Sequence, residues 1–295
     1  MLHRRAFHAM GGDNELLLGG GDDLDAVASR AIADVLRIER KYSRFRDDSV
    51  VAAINRGAGD APVAIDAETA ALLGYAQTCY EQSGGRFDIT AGGLSALWDV
   101  ARKSARRPAR AALDAARGDV GFDAVEWDAQ RIRLSRRGMR IDFGGIGKEY
   151  AADRVATIAQ EGGARHGCAN LGGDVRVWGG RPDGGAWRVG IRHPRAVADA
   201  IGGVDLADGA VATSGDYERF AEIDGVRYCH IIDAHSALPV AAWQSISVVA
   251  PLAIVAGSYA TIAMLLAQAA PAFLDAAGLP WLGVGADGAL HGKLA

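Results

Sequence analysis

The stretch TSGDYERFAEIDGVRYCHIIDAHSALP, residues Thr213–Pro239, contains two strand-forming runs joined by Asp224-Gly225. An Asp-Gly pair between alternating residues is typical of a two-residue β-hairpin turn. The stretch opens with a predicted Thr-Ser-Gly-Asp turn, and the return strand carries His230 and Asp233 into a polar loop. The hairpin therefore predicts that a hydroxyl pair, an imidazole and a carboxylate lie close together, as in a catalytic or phosphate-binding site.

Around this hairpin, strands and helices alternate without a βαβ rhythm, which favours an α+β fold with mixed or antiparallel sheets and packed helices. Capping residues and helical spacing predict helices over Asp23–Ser43, after Ser49, from Asp66 and over Lys148–Glu161. Strands are predicted over the following segments: Val125–Asp142 (two or three short ones), Asp174–Trp178, Trp187–Arg192, Val204–Leu206 and Ser245–Ala250. No linker divides the 295 residues, so we expect one domain, 1–295, with two lobes around its site.

Composition excludes several classes of protein. A net charge of −4 argues against a general affinity for nucleic acid or for an anionic membrane. The arginines of Ala101–Gly118 lack interleaved aromatics, and we interpret this segment as a solvated helical region. The chain has three isolated cysteines and no CxxC pair, so neither a zinc knuckle nor a redox dithiol is indicated.

One segment, Ser245–Leu274, contains no charged residue and is long enough to cross a membrane. Its interior prolines and polar residues instead favour a buried strand followed by a buried helix over Leu252–Ala269, so no membrane span is expected. The start, MLHRRAF, is not followed by an apolar signal region, and no lipid-attachment cysteine lies near it. The chain as given is therefore expected to be cytoplasmic, or periplasmic if an N-terminal signal has been removed.

Two glycine-rich turns are candidates for ligand binding. Ile141–Asp153, IDFGGIGKEYAAD, reads as a strand end, a glycine turn and a helix that begins near Lys148, which presents backbone N–H groups to an anion. Its spacing fits neither a Walker A loop nor a dinucleotide fingerprint, and simple turn chemistry is the alternative. The second turn lies within Asp88–Gly93 and could equally be a capped connection between a strand and a helix.

Four blocks together resemble the ApbE family, the FAD:protein FMN transferases. They are Gly85–Trp98, Ile141–Asp153, Asn170–Asp174 and Thr213–Pro239, with a weaker fifth block near Met10. They occur in the family's order and extend to about Leu266, over almost the whole chain. The resemblance implies an ApbE-like, T-fold-like architecture with a flavin site between two lobes.

The resemblance also implies roles for particular residues. His230, in the SHIID-type block, would be the acid/base group. The residues that would contact FAD are Met10, Phe45, Asp88, Ile89, Thr90, Asp142, Lys148, Thr213, Ser214 and Ile232. Mg²⁺ would be held by the backbone carbonyl of Gly145 and by Thr261.

The chain departs from the family at its metal segment, which there reads roughly A-D-A-x-A-T. Here Gly257 stands in the carboxylate position, four residues before Thr261. Because Mg²⁺ prefers hard oxygen ligands with one or two carboxylates, we expect weakened Mg²⁺ binding and stronger binding in a Gly257→Asp variant. The DPRTG-P loop is also altered, to Asp233–Pro239 without the internal proline and glycine.

These observations leave three functions open. The resemblance implies transfer of FMN from FAD to a Thr or Ser hydroxyl of an acceptor protein, with AMP released and a metal assisting. The alternative is a catalytically impaired FAD-binding member, a flavin carrier or regulatory protein, because Gly257 replaces the carboxylate. Outside the family, a metal-independent hydrolase would use His230 and Asp233.

Overall fold

The computed structural model describes residues 2–196 and 199–294. The helices of this part of the chain are α1 (Leu24–Tyr42), α2 (Val50–Arg56), α3 (Ala67–Gln82), α4 (Gly92–Ser104), α5 (Arg110–Gly118), α6 (Gly147–Glu161), α7 (Ala253–Leu266) and α8 (Ala270–Ala277). The strands are β1 (His3–Ala9), β2 (Gly12–Gly19), β3 (Val63–Ala64), β4 (Val125–Trp127), β5 (Arg131–Leu134), β6 (His166–Leu171), β7 (Asp174–Trp178), β8 (Trp187–Arg192), β9 (Ala200–Leu206), β10 (Gly209–Gly215), β11 (Phe220–Ile223), β12 (Val226–Cys229), β13 (Ile232–Asp233), β14 (Leu238–Pro239), β15 (Trp243–Ala250), β16 (Trp281–Gly285) and β17 (Leu290–Lys293).

An antiparallel sheet of eight strands organises the molecule, in the order β1-β2-β6-β7-β10-β15-β16-β17. Helices α6 and α7 pack on one face of its central strands, and α1 packs on α6. The β8–β9 hairpin contributes to a second, smaller apolar cluster with side chains of β7, β10 and β15. Antiparallel pairing with helices on one face is the α+β class that the sequence predicts, so the fold class is confirmed.

The predicted helix starts are confirmed by their caps. The carboxylates of Asp23 and Asp66 and the hydroxyl of Ser49 each accept a hydrogen bond from a backbone N–H of the first helical turn. Helix α7 is capped differently, because the carboxylate of Asp153 in α6 accepts from the amides of Ala253 and Ile254 at 2.8 and 2.9 Å. These two hydrogen bonds fix the start of α7 against α6.

Between Val125 and Asp142 two strands form, as predicted, followed by an isolated bridge between Arg140 and Ala91. Two local predictions differ from the structure. Thr213 and Ser214 lie within strand β10 and do not form a turn, because β10 pairs with β15 through Gly215. The single helical region over Ala101–Gly118 is divided, with α4 ending at Ser104 and α5 beginning at Arg110.

The apolar C-terminal segment belongs to the core. Ala253–Ala277 is long and apolar enough to cross a membrane by composition, and it is the one such stretch in the described residues. More than half of its most apolar window is buried, with α7 packed on β10, β15 and α6. These contacts support the expectation of a core helix.

Candidate functional site

The hairpin β11–β12 closes as the sequence predicts. Asp224 and Gly225 have φ values of 53° and 74°, the left-handed pair that a tight two-residue turn requires. Because the strands pair from Phe220 to Cys229, the chain leaves β12 directly before His230. The hairpin thus fixes the position of the imidazole, with Arg219 just before the opposite strand.

Three positive side chains surround His230. Its ring keeps exposed surface, but the protein packed around it removes much of its hydration. This desolvation, followed by the charges of three neighbouring cations, lowers the pKa of His230 to about 4; the cations are Arg219, Arg102 and Lys148. At neutral pH the imidazole is therefore uncharged and able to accept a proton. We call Arg102, Lys148 and Arg219 the cationic cluster.

Lys148 follows the glycine-rich turn, and its side chain is partly exposed. Its ammonium donates to Asp174 at 2.7 Å, and the side chain of Asp174 is only 4% exposed. Burial opposes the charge on Lys148, but the negative charges of Asp174 and Glu149 outweigh it and raise the pKa of Lys148. The turn before it is narrow, because a Cβ on Gly145 would lie 3.0 Å from the ring of Phe87.

Arg102 corrects the interpretation of its segment as a solvated face. Its side chain is 15% exposed and bonds to Asp99, yet its second terminal nitrogen has no hydrogen-bond partner among the described residues. Burial, and then the charges of Arg44 and Arg219, lower the pKa of Arg102. Asp99 also pairs with Arg44, so one carboxylate serves two arginines. Among the described residues, Arg102 is therefore an incompletely paired cation near His230.

Asp142 connects the glycine-rich turn to Arg44, the arginine that shares Asp99 with Arg102. Its carboxylate accepts from the amide of Gly144 at 2.9 Å and pairs with Arg44 at 3.1 Å. Arg44 in turn lies over the ring of Phe45, 4.5 Å from the ring centre, and Phe45 is 76% exposed. The structure therefore brings Asp142 and Phe45 into one neighbourhood with Arg102.

The tip of the β1–β2 hairpin lies near Arg219. Met10 has a φ of 56° in the tight turn, and a Cβ on the following Gly11 would lie 3.4 Å from the guanidinium of Arg219. Ile232 packs in a separate apolar cluster with α4, next to Tyr228 and Leu238. Contact of Met10 and Ile232 with a cofactor stays a prediction.

The second glycine turn is held together by its own side chains. Asp88 accepts from the hydroxyl and amide of Thr90 and from the amide of Phe122, and Thr90 accepts from Gly121. These side chains are committed to the loop, which leaves backbone groups for any ligand. The carbonyl of Ile89 accepts from the amide of Asp142 at 2.8 Å, so the two glycine turns are adjacent.

The hydroxyls of β10 point to opposite faces, as successive strand residues do. Thr213 bonds to Ser247 at 2.7 Å, and Ser214 bonds to Thr261 of α7, also at 2.7 Å. Asp233 accepts from Arg86 at 2.8 Å, and within the described residues no hydrogen bond joins it to His230. The structure therefore does not supply the His–Asp pair that a metal-independent hydrolase would use.

The carboxyl group of Glu149, in helix α6, lies next to Gly257 of α7. A Cβ built on Gly257 would lie 2.5 Å from Cγ and 2.7 Å from Oε1 of Glu149 in α6. Burial, and then the charge of Asp174, raise the pKa of Glu149 to about 8, against the opposing effect of Lys148. Its Oε2 has no hydrogen-bond partner among the described residues.

Residues 2–196 and 199–294 contain no group of three or more His, Cys, Asp or Glu side chains that could hold a metal ion. Mg²⁺ does not require such a group, because it commonly binds one or two carboxylates together with water and substrate phosphates. The unpartnered Glu149 oxygen and the hydroxyl of Thr261 are hard donors of this kind. Glu149 and Thr261 are therefore residues that could hold a magnesium-like cation, and binding of the cation stays a prediction.

Sequence reasoning missed Arg102, Arg219 and Glu149. For Glu149 a signal exists, because it falls on the buried stripe of α6 with Ala152, Val155 and Ala159, where a charge is unusual. For the two arginines the sequence carries no such signal, since only the folded hairpin brings them to His230.

The sequence pattern of the ApbE family matches residues 10–281. A protein of Treponema pallidum named FAD:protein FMN transferase is 35% identical over 77% of this chain and 68% of its own length. A protein of Chlamydia pneumoniae with the same name is 30% identical over 77% of this chain and 72% of its own length. The crystal structure of the ApbE protein of Thermotoga maritima superposes with a TM-score of 0.93 at 31% identity, over 99% of this chain and 97% of that one. The chain belongs to the ApbE family.

Proposed function

We propose that this chain transfers FMN from FAD to a Thr or Ser hydroxyl of an acceptor protein and releases AMP. The observation that carries the proposal is the position of His230, directly after β12 and near three cations whose charges help to lower its pKa. The names of the relatives and the family membership support the same reaction.

The cations match the charge of the substrate. The pyrophosphate of FAD carries negative oxygens that accept charge-assisted hydrogen bonds from guanidinium and ammonium groups. Arg219 has no carboxylate partner within the described residues, and Arg102 has a buried guanidinium nitrogen without a partner there, which a small side-chain movement would present to the pyrophosphate. The amides at the start of α6, where no side chain caps the helix, add further donors.

The reaction forms a bond between the acceptor oxygen and the FMN phosphorus and breaks the pyrophosphate bond to AMP. His230 takes the proton of the attacking hydroxyl, and a pKa near 4 keeps it in the accepting form at neutral pH. A divalent cation, when bound, neutralises the pyrophosphate charge. The cationic cluster orients the phosphates for attack.

The test is incubation of the protein with FAD, Mg²⁺ and a peptide containing a Ser/Thr-Gly-Ala-Thr motif, followed by intact-mass analysis and quantification of AMP. We expect one FMN added per peptide and an equal amount of AMP. The control peptide has alanine at the acceptor position and should gain no mass. FAD binding without transfer under any metal condition would indicate the impaired, FAD-binding alternative.

A calorimetric comparison tests the phosphate part of the proposal separately. FAD should bind more tightly than riboflavin, because only FAD offers phosphate oxygens to Lys148 and Arg102. Equal or tighter binding of riboflavin would contradict the assignment of the cationic cluster to phosphate.

A further inference from the structure

Helices α6 and α7 meet where Gly257 faces Glu149. A side chain at position 257 would require Glu149 to move, since even a Cβ would lie 2.5 Å from Cγ of Glu149 and 2.9 Å from its Cδ. The carboxyl group of Glu149 therefore occupies the space into which an acidic side chain at position 257 would project. Glutamate is one methylene longer than aspartate, so it can reach this space from the neighbouring helix.

Within the described residues, the carboxyl group of Glu149 lacks a hydrogen-bond partner for one of its oxygens. The residue is 7% exposed, and its Oε2 has no hydrogen-bond partner among the described residues. The adjacent cation, Lys148, donates its hydrogen bond to Asp174. A buried polar oxygen without a partner is costly, and a bound ion or water is one explanation for such a group in a native structure.

One hard oxygen donor, the hydroxyl of Thr261, lies on the same side of α7 as Gly257. Thr261 is four residues after Gly257, which places both on one face of the helix. The Thr261 hydroxyl bonds to Ser214 at 2.7 Å, so its position is fixed by β10. Gly145 stands four residues before Glu149, in the turn that leads into α6.

We propose that Glu149 of α6 is the carboxylate ligand of the catalytic divalent cation, replacing a ligand that α7 cannot supply at Gly257. Thr261 and the carbonyl of Gly145 complete the protein's share of the ligands. The inference rests on the proposed function, because it assigns the cation of that same site. It also replaces the expectation that Gly257 leaves the site without a carboxylate.

The experiment is electron paramagnetic resonance titration of the apoprotein with Mn²⁺, without FAD or acceptor. Glu149→Gln should bind Mn²⁺ at least about tenfold more weakly than wild type, the low end of the effect of perturbing a metal site. The matched control, Glu161→Gln, removes an exposed carboxylate from the end of α6 and should leave Mn²⁺ affinity unchanged. Wild-type affinity in Glu149→Gln would overturn the proposal.

Variants that exchange the residues at positions 149 and 257 test the proposal by recovery of Mn²⁺ binding as well as by its loss. Glu149→Gly combined with Gly257→Asp moves the carboxylate to the opposite helix and should restore Mn²⁺ affinity to near the wild-type value. Gly257→Asp alone should lower the melting temperature and bind Mn²⁺ no more tightly, because the new side chain meets Glu149. Tighter Mn²⁺ binding by Gly257→Asp alone, with a double variant that binds no better than Glu149→Gln, would overturn the exchange.

The melting temperature of Glu149→Gln separates ligand loss from misfolding. We expect it to equal or exceed that of the wild-type apoprotein, because the change removes an unmatched buried carboxyl group. The outcomes also separate this inference from the proposed function. Mn²⁺ binding that depends on Glu149, in a protein that transfers no FMN, would support the ligand and refute the transferase. FMN transfer by a protein whose Mn²⁺ binding does not depend on Glu149 would support the transferase and refute the ligand.

Discussion

Two groups of charged residues in this molecule differ in how completely they are paired. The α1–α3 network consists of Arg37, Lys41, Asp66, Glu68 and Tyr150, and each of its charges has at least one partner within 2.8 Å. Within the part of the chain that the structure describes, the cationic cluster near His230 instead has Arg219 without a carboxylate partner and a guanidinium nitrogen of Arg102 without a hydrogen-bond partner. Paired charges stabilise the fold, whereas incompletely paired cations are candidates for binding an anionic ligand.

The largest difference should appear when His230 is removed. His230→Ala should lower the rate of FMN transfer by about 10²–10⁴-fold, the usual contribution of a general base. FAD affinity should change little, because the base acts mainly in the transition state. His235→Ala, which removes an exposed ring lying against Gly85, is the matched control and should retain activity.

The pH dependence sharpens the same assignment. The free-enzyme pKa of about 4 predicts that kcat/KM holds level from pH 7 to about pH 5 and declines only as the pH approaches 4. A histidine with an ordinary pKa near 6.5 would already cost roughly tenfold in rate at about pH 5.5. A decline of that kind would contradict the lowered pKa of the base, whereas a joint loss of stability and FAD affinity in His230→Ala would make the residue structural.

A smaller effect is expected at Arg102. Arg102→Gln should weaken FAD binding by about 1.5–3 kcal/mol, the range for a hydrogen bond to a charged group. Thermal stability should change little, because the lost bond to Asp99 is offset by removal of a cation that burial and the charges of Arg44 and Arg219 disfavour. Calorimetry and thermal unfolding measure the two quantities. Arg110→Gln, an exposed change on α5, is the control and should alter neither.

The paired network should respond in the opposite way. Glu68→Gln should lower the free energy of unfolding by about 1–2 kcal/mol, because it removes the charge that Arg37 and Lys41 share and leaves each with one carboxylate, Asp34 or Asp66. FAD affinity should not change. A variant that loses FAD affinity but not stability would contradict the distinction between the two groups.

The acid response of this network has a defined sign. Arg37 first, then Lys41 and Tyr150, hold the pKa of Glu68 well below its usual range. The unfolded chain therefore binds this proton more readily, and the stabilisation is present above about pH 4.3 and is lost as the pH falls further. In Glu68→Gln the unfolding free energy should depend less steeply on pH between about 4.5 and 2. An unchanged acid slope would show that other carboxylates dominate.

Sequence reasoning succeeded where one local interaction decides the structure. Asp224-Gly225 specifies its hairpin through backbone conformation alone, and Asp23, Ser49 and Asp66 specify helix starts through bonds within one turn. The predicted turn at Thr213 failed because pairing of β10 with β15 overrides the local preference.

The site was only partly predictable for a related reason. His230 and Lys148 lie in recognisable stretches, whereas the approach of Glu149 to Gly257 depends on how two helices pack. Arg102 reaches the site only because α4 packs beside β11. Residues distant in sequence acquire a shared role through the fold, and no local pattern encodes that contact.

The smallest expected effect concerns Phe45, the exposed aromatic ring beside Arg44. Phe45→Ala should weaken FAD binding by about 0.5–1.5 kcal/mol, the value of one aromatic stacking contact. The free energy of unfolding should stay within about 0.5 kcal/mol of the wild-type value, as for an exposed position. Leu290→Ala on β17 removes another exposed apolar side chain and should change neither quantity. Lower stability with unchanged FAD affinity would assign the ring to packing of the fold, whereas loss of FAD affinity alone would extend the ligand surface from the cationic cluster to Phe45.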